Sequence, residues 1–162
     1  MTDEFKKIIF STNISNIFLQ QNWIINIDTK KNYHSYFVGE TADYYLFIHN
    51  DKDKTLFQIT LDIEIPKNKL NDLFMLINSA NQNSDVGYFV FDYKAWKTKY
   101  NLCLLSSSII EERDFYNFLK FKLDLINSLF HNFVSGFHNL VYGEKIDIAS
   151  LELLFVNNEG YA

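Results

Sequence analysis

The sequence predicts an α+β domain, one antiparallel sheet with helices packed on one of its faces, in the order α-β-β-β-(β)-α-β-β-α-α. Three observations carry this reading. From Thr55 to Ile65, Phe57, Ile59, Leu61, Ile63 and Ile65 alternate with Gln58, Thr60, Asp62 and Glu64, the period of a strand with one buried side. Leu70, Leu73, Phe74 and Ile77 recur at the spacing of a helix that buries one stripe. At ~100° per residue, Phe115, Leu119, Leu123, Ile126, Phe130, Phe133, Phe137 and Leu140 share an arc of about a quarter turn.

Taken in order, the first helix carries Ile14, Ile17, Phe18 and Gln21, with Thr12 or Asn13 as its N-cap and an end near Trp23. Residues 1–11 then stand as an N-terminal extension. Trp23 to Ile27, Tyr33 to Gly39 and Asp43 to His49 are rich in aromatic and β-branched residues and are separated by turn formers, which predicts three short strands before the alternating one. Pro66 ends that fourth strand and suits the start of the next helix, where its missing N–H costs nothing; this helix runs to about Asn81. Val86 to Tyr93 and Lys97 to Leu105 form a hairpin around Lys94-Ala95-Trp96. Ser108 and Glu111 make a capping box that opens the longest helix, Ser108 to Tyr142. Gly143 is placed as its C′ residue, and Asp147 caps a last short helix with Leu151, Leu154 and Phe155.

The chain has 162 residues, the size of one domain, and no linker or repeat divides it, so 1–162 is read as a single domain. Its net charge is −5 and evenly spread, with 8 basic against 10 acidic groups in residues 1–81 and 7 against 10 in the rest. That argues against nucleic acid as a partner. Apolar runs stop at five residues, too short for a membrane helix, and MTDEFKKIIF lacks the pattern of a secretory signal. With Cys103 the single cysteine, a reducing cytoplasmic location is expected.

No chemistry-bearing motif survives inspection, so no catalytic, metal or cofactor-binding residues are assigned and no cofactor is expected. Asp124, His131 and His138 are spaced by seven, two helical turns or ~10.5 Å apart, which is too far to share one ion. His34 and His49 lie in strands near turns. Asp51-Lys52-Asp53-Lys54 lacks the glycine and the glutamate of a calcium loop. Glu111, Glu112 and Asp114 stand where a helix N-terminus favours negative charge. Ser106 to Ser108 lack the glycines of a nucleophile elbow, and the isolated glycines at 39, 87, 136, 143 and 160 form no phosphate loop.

The junction LDIEIP (Leu61 to Pro66), the helix ending at Asn81, and Gly87-Tyr88-Phe89 six residues on form an ordered set. With the closing GEKIDIASLELLFVNNEGYA, that set resembles the YbjN-like family of small bacterial proteins, which are labelled sensory transduction regulators. The resemblance covers about residues 12–162. Tyr88 replaces a family His, Asn101 an Arg, and Ser135 a Pro. It implies a fold similar to type III secretion chaperones and no catalytic residues.

The expected function is therefore a non-enzymatic protein-binding module, chaperone-like or regulatory; the alternative is a small-ligand sensor or enzyme whose pocket is assembled from dispersed polar residues. The candidate surface comes from strands that are apolar on both sides. Asp43 to His49 sets Tyr44, Leu46 and Ile48 against Tyr45 and Phe47, and Val86 to Phe91 sets Tyr88 and Val90 against Phe89 and Phe91. Helices cover one side of a sheet only, so aromatic surface remains unless a terminal segment folds over it. Tyr45, Phe47, Phe89 and Phe91 are the expected protein-binding residues, in a homodimer or in a groove for a partner segment.

Overall fold

The structure, a computed structural model, describes residues 3–30, 32–38, 42–50, 54–82, 84, 87–105, 116–117, 120–121, 124, 133–139 and 142. Helix α1 (Asp3–Gln20) leads into strands β1 (Asn26–Ile27), β2 (Tyr33–Phe37), β3 (Tyr44–Asn50) and β4 (Lys54–Leu61). A 3-10 turn (Lys67–Lys69) and helix α2 (Leu70–Gln82) follow, then strands β5 (Tyr88–Asp92) and β6 (Lys97–Leu105). Residues 133–139 form a further helical segment, α3, and 116, 117, 120, 121, 124 and 142 are also helical. The six strands make one antiparallel sheet in the order β1-β2-β3-β4-β6-β5. This is the expected α+β class. Among the described residues no helix is long and apolar enough to cross a membrane. The capping box at Ser108 and the last short helix lie outside the described residues.

Helix α1 starts at Asp3, so most of the expected extension 1–11 is helical rather than a separate tail. Its end is built from two backbone bonds, Asn22 N–H to Leu19 O at 3.2 Å and Trp23 N–H to Phe18 O at 2.8 Å. Asn22 turns the chain with φ 56°, a left-handed conformation that asparagine tolerates. The Trp23 ring then lies edge-on to Phe18 at 5.4 Å and to Phe37 at 4.9 Å, which ties the helix end to the sheet.

Strand β4 stops at Leu61, four residues before the alternation does. Its ladder partner β6 begins at Lys97 and pairs no further along β4 than Thr60, so the chain leaves the sheet there. Ile63 and Ile65 nevertheless stay buried on the same side. The Trp96 indole N–H donates to Ile65 O at 2.8 Å and pins this departing segment to the tip of the β5–β6 hairpin. That hairpin needs no glycine: the Asp92 carboxylate accepts the N–H groups of Lys94 (2.9 Å) and Ala95 (3.1 Å), and Trp96 takes the left-handed conformation at φ 54°.

One core joins the helices to one face of the sheet. It contains Ile14, Ile17 and Phe18 of α1, Leu73, Leu76, Ile77 and Ala80 of α2, and Phe133, Val134 and Phe137 of α3. The sheet contributes Tyr33, Leu46, Ile48, Phe57, Ile59, Leu61, Phe89, Tyr100 and Leu102. Both sheet edges are blunted. At one end β1 pairs over two residues only. At the other, the Asn81 carboxamide stands in for a neighbouring strand: its Oδ1 accepts the Phe89 N–H at 2.6 Å, and its Nδ2 donates to Phe89 O at 2.9 Å. Such edges resist unplanned pairing with other chains.

Candidate binding face

The strand register assigns every side chain to the core or to the opposite, outer face. Ile59 pairs with Leu46 and Tyr100, and Phe89 with Tyr100, so these four point to the helices. The outer face consists of the residues between them. One row across it reads His34, Phe47, Gln58, Asn101, Tyr88, and the adjacent row reads Tyr36, Tyr45, Thr60, Lys99, Val90. Cys103 is exposed on this face beside Leu56.

This register corrects half of the expected site. Tyr45, 49% exposed, and the half-buried Phe47 do lie on the outer face. Phe89 does not: it is 2% exposed and stacks on Phe133 with ring centroids 4.1 Å apart. Phe91 is turned the same way and packs among Phe74 at 6.0 Å, Tyr93 at 5.0 Å and Trp96 at 5.2 Å. Adjacent residues of a strand point to opposite faces, so Tyr88 and Val90 stand outside in their place. Tyr36 and Tyr88, 45% and 51% exposed, are the members that the sequence reading missed. The signal for Tyr88 was present in β6, where Lys97, Lys99, Asn101 and Cys103 alternate with Thr98, Tyr100 and Leu102; the polar set marks the outer face and its cross-strand partners belong there.

Tyr36 and Tyr45 lie against each other at 4.7 Å. The Tyr36 hydroxyl donates to Asp43 Oδ2, and this bond to a carboxylate is the main cause pushing the phenol up to about 12. Gln58 Nε2 donates to Asn101 Oδ1 at 2.8 Å, so the middle of the face is a neutral amide pair. Toward one end, Lys97 pairs with Asp62 and Lys99 with Asp92, both at 2.6 Å.

The Lys99 ammonium, followed by the Ala95 and Lys94 N–H groups, holds Asp92 down to about 2. A carboxylate whose folded pKa is depressed contributes stability above its unfolded value of ~3.9, and that contribution is lost as pH falls toward 2. Carboxyl NMR should therefore show Asp92 titrating near pH 2, and Lys99→Gln should move the midpoint up. A midpoint near ~4 in the parent would mean that the pair does not form.

At the corner of the face, Asp28 organises a polar relay. Its carboxylate accepts the N–H of Lys30 (2.8 Å) and of Asn32 (2.9 Å), and its Oδ2 accepts Asn32 Nδ2 at 2.8 Å. These bonds, those from Asn32 first, lower the Asp28 pKa. Because Asn32 Nδ2 is committed to Asp28, its Oδ1 is an acceptor, and His49 Nδ1, 2.5 Å away, must be the donor.

Of the other sequence candidates, His34 shares the outer face, whereas His138 lies on α3 against Tyr142 at 4.8 Å. Asp124 is exposed. His131, Glu111, Glu112, Asp114 and Ser106 to Ser108 lie outside the described residues, as do Asp51 to Asp53. Among the described residues no three His, Cys, Asp or Glu side chains come together in a way that could hold a metal. What the face offers chemically is ring surface, amides and hydroxyls, with Lys97 and Lys99 held by carboxylates. No protein-family model and no curated protein matches the chain.

Proposed function

We propose that this chain is a protein-binding module without a reaction of its own, acting in the cytoplasm in the chaperone-like or regulatory manner that its resemblance to YbjN-like proteins implies, and that the outer sheet face is its binding surface. One observation carries the reading: Tyr36, Tyr45 and Tyr88 are each about half exposed on a single face, opposite the one that packs on the described helices. Tyrosine supplies a large contact area and a hydroxyl at low cost in side-chain entropy, which is why it anchors interfaces.

NMR shift mapping against a panel of extended apolar peptides tests this. Binding peptides should perturb Tyr36, Tyr45, Phe47 and Tyr88 while leaving α2 unchanged, and Tyr45→Ala with Tyr88→Ala should weaken binding ~10-fold or more, as loss of interface anchors does. A footprint on the helices would overturn the reading, and so would a chain that stays monomeric and binds no peptide.

A further inference from the structure

The outer face carries a more specific assignment, which rests on the protein-binding reading above: we propose that it pairs face to face with the outer face of a second copy of this chain. Charge is the first argument. The chain as a whole is at −5, so two copies repel wherever acidic surface meets acidic surface. On the outer face Lys97 is cancelled by Asp62 and Lys99 by Asp92, and the Asp43 carboxylate, which accepts the Tyr36 hydroxyl, lies at the margin. The one lysine of the two central rows, Lys99, is paired, and Lys54 sits at the rim. Two acidic molecules can meet on these two rows without unpaired carboxylates facing each other.

Area is the second argument. The five strands β2 to β6, at ~4.8 Å spacing, span about 24 Å, and run about 20 Å in length. Two such faces bury about 1,000 Å² in projection, the level that a specific interface has to reach.

Shape is the third. Aromatic side chains project from β2 and β3, at Tyr36, Tyr45 and Phe47, whereas β6 presents Lys99 and Asn101, and β5 Tyr88 and Val90. A two-fold axis running along β4 sets β3 of each copy over β6 of the other and β2 over β5, so Tyr45 and Phe47 meet Lys99 and Asn101 while Tyr36 meets Val90, and one patch serves both copies. The product is a two-sheet sandwich with the helices outside.

Cys103, the single cysteine, lies exposed on this same face and reports on its burial. Sedimentation of the full chain should give twice 19.2 kDa at ~100 μM, with the Cys103 thiol reacting ~10-fold more slowly than in dilute solution. Tyr45→Glu, at an exposed position outside the core, should return the mass to 19.2 kDa and restore full thiol reactivity, with an unchanged circular dichroism spectrum. Met75→Glu, on the exposed side of α2, should leave the pair intact. A parent at 19.2 kDa at every concentration overturns the pairing, and so does a dimer that keeps Cys103 fully reactive and survives Tyr45→Glu. Peptide footprints on a strictly monomeric chain would overturn the self-pairing alone and leave the protein-binding function standing.

Discussion

Gly87→Ala should destabilise the fold by about 3–5 kcal/mol. Gly87 has φ +77°, where a side chain is strained by ~1–2 kcal/mol. The methyl itself would stand 2.4 Å from the backbone oxygen of Asn101 and 2.7 Å from the Tyr100 hydroxyl. The first of these belongs to the β6 ladder, which pairs with β4 and β5 and cannot retreat without breaking both. Thermal unfolding should fall by ~10 °C, since one kcal/mol shifts a domain of this size by ~2–4 °C. An unchanged melting temperature would show that the β5–β6 contact at Gly87 is looser than described. The same residue explains the spacing from Asn81 to Phe89. The carboxamide of Asn81 must reach the Phe89 backbone, and only a residue without a side chain lets the connection pass this close to β6.

Phe133→Ala should cost about 3–5 kcal/mol in urea unfolding, the range for a fully buried phenylalanine. Phe133 is 0% exposed, stacks on Phe89 at 4.1 Å and lies parallel to Phe137 at 6.2 Å. It is therefore the joint between α3 and the edge strand β5, and its removal leaves a cavity bounded by rigid rings that collapse poorly. Lys120→Ala, at an exposed helical position, should cost under about 0.5 kcal/mol. Comparable losses at the two positions would mean that the helix presents a different side to the sheet.

Most of the architecture was legible because burial imposes a period. Leu73 and Ile77 are buried in α2 as their spacing required, and so are Phe57, Ile59 and Leu61 in β4. Element ends were less legible. Helix α1 begins at Asp3 although Thr12 or Asn13 reads as a cap, since a capping residue is compatible with a helix but does not oblige one to start. The strand between Trp23 and Ile27 shrinks to two residues because Trp23 is drawn onto Phe18 and Phe37 instead of into the ladder.

The sequence by itself determined which residues share a face: Tyr45 goes with Phe47, and Phe89 with Phe91, because side chains alternate along any strand. Which of two apolar faces turns inward was decided only by tertiary structure. In β4 the choice is forced, since one side is polar and burying Gln58 or Thr60 without partners would cost free energy. In β5 both sides are apolar, so the transfer of apolar surface is nearly balanced and local preference is silent. There the choice falls to the register with β6, which sets Phe89 opposite Tyr100, and to Phe133, which stacks on it from the helix layer. Tyr88 is left on the outer face by that packing, and with it the surface that the proposed pairing uses.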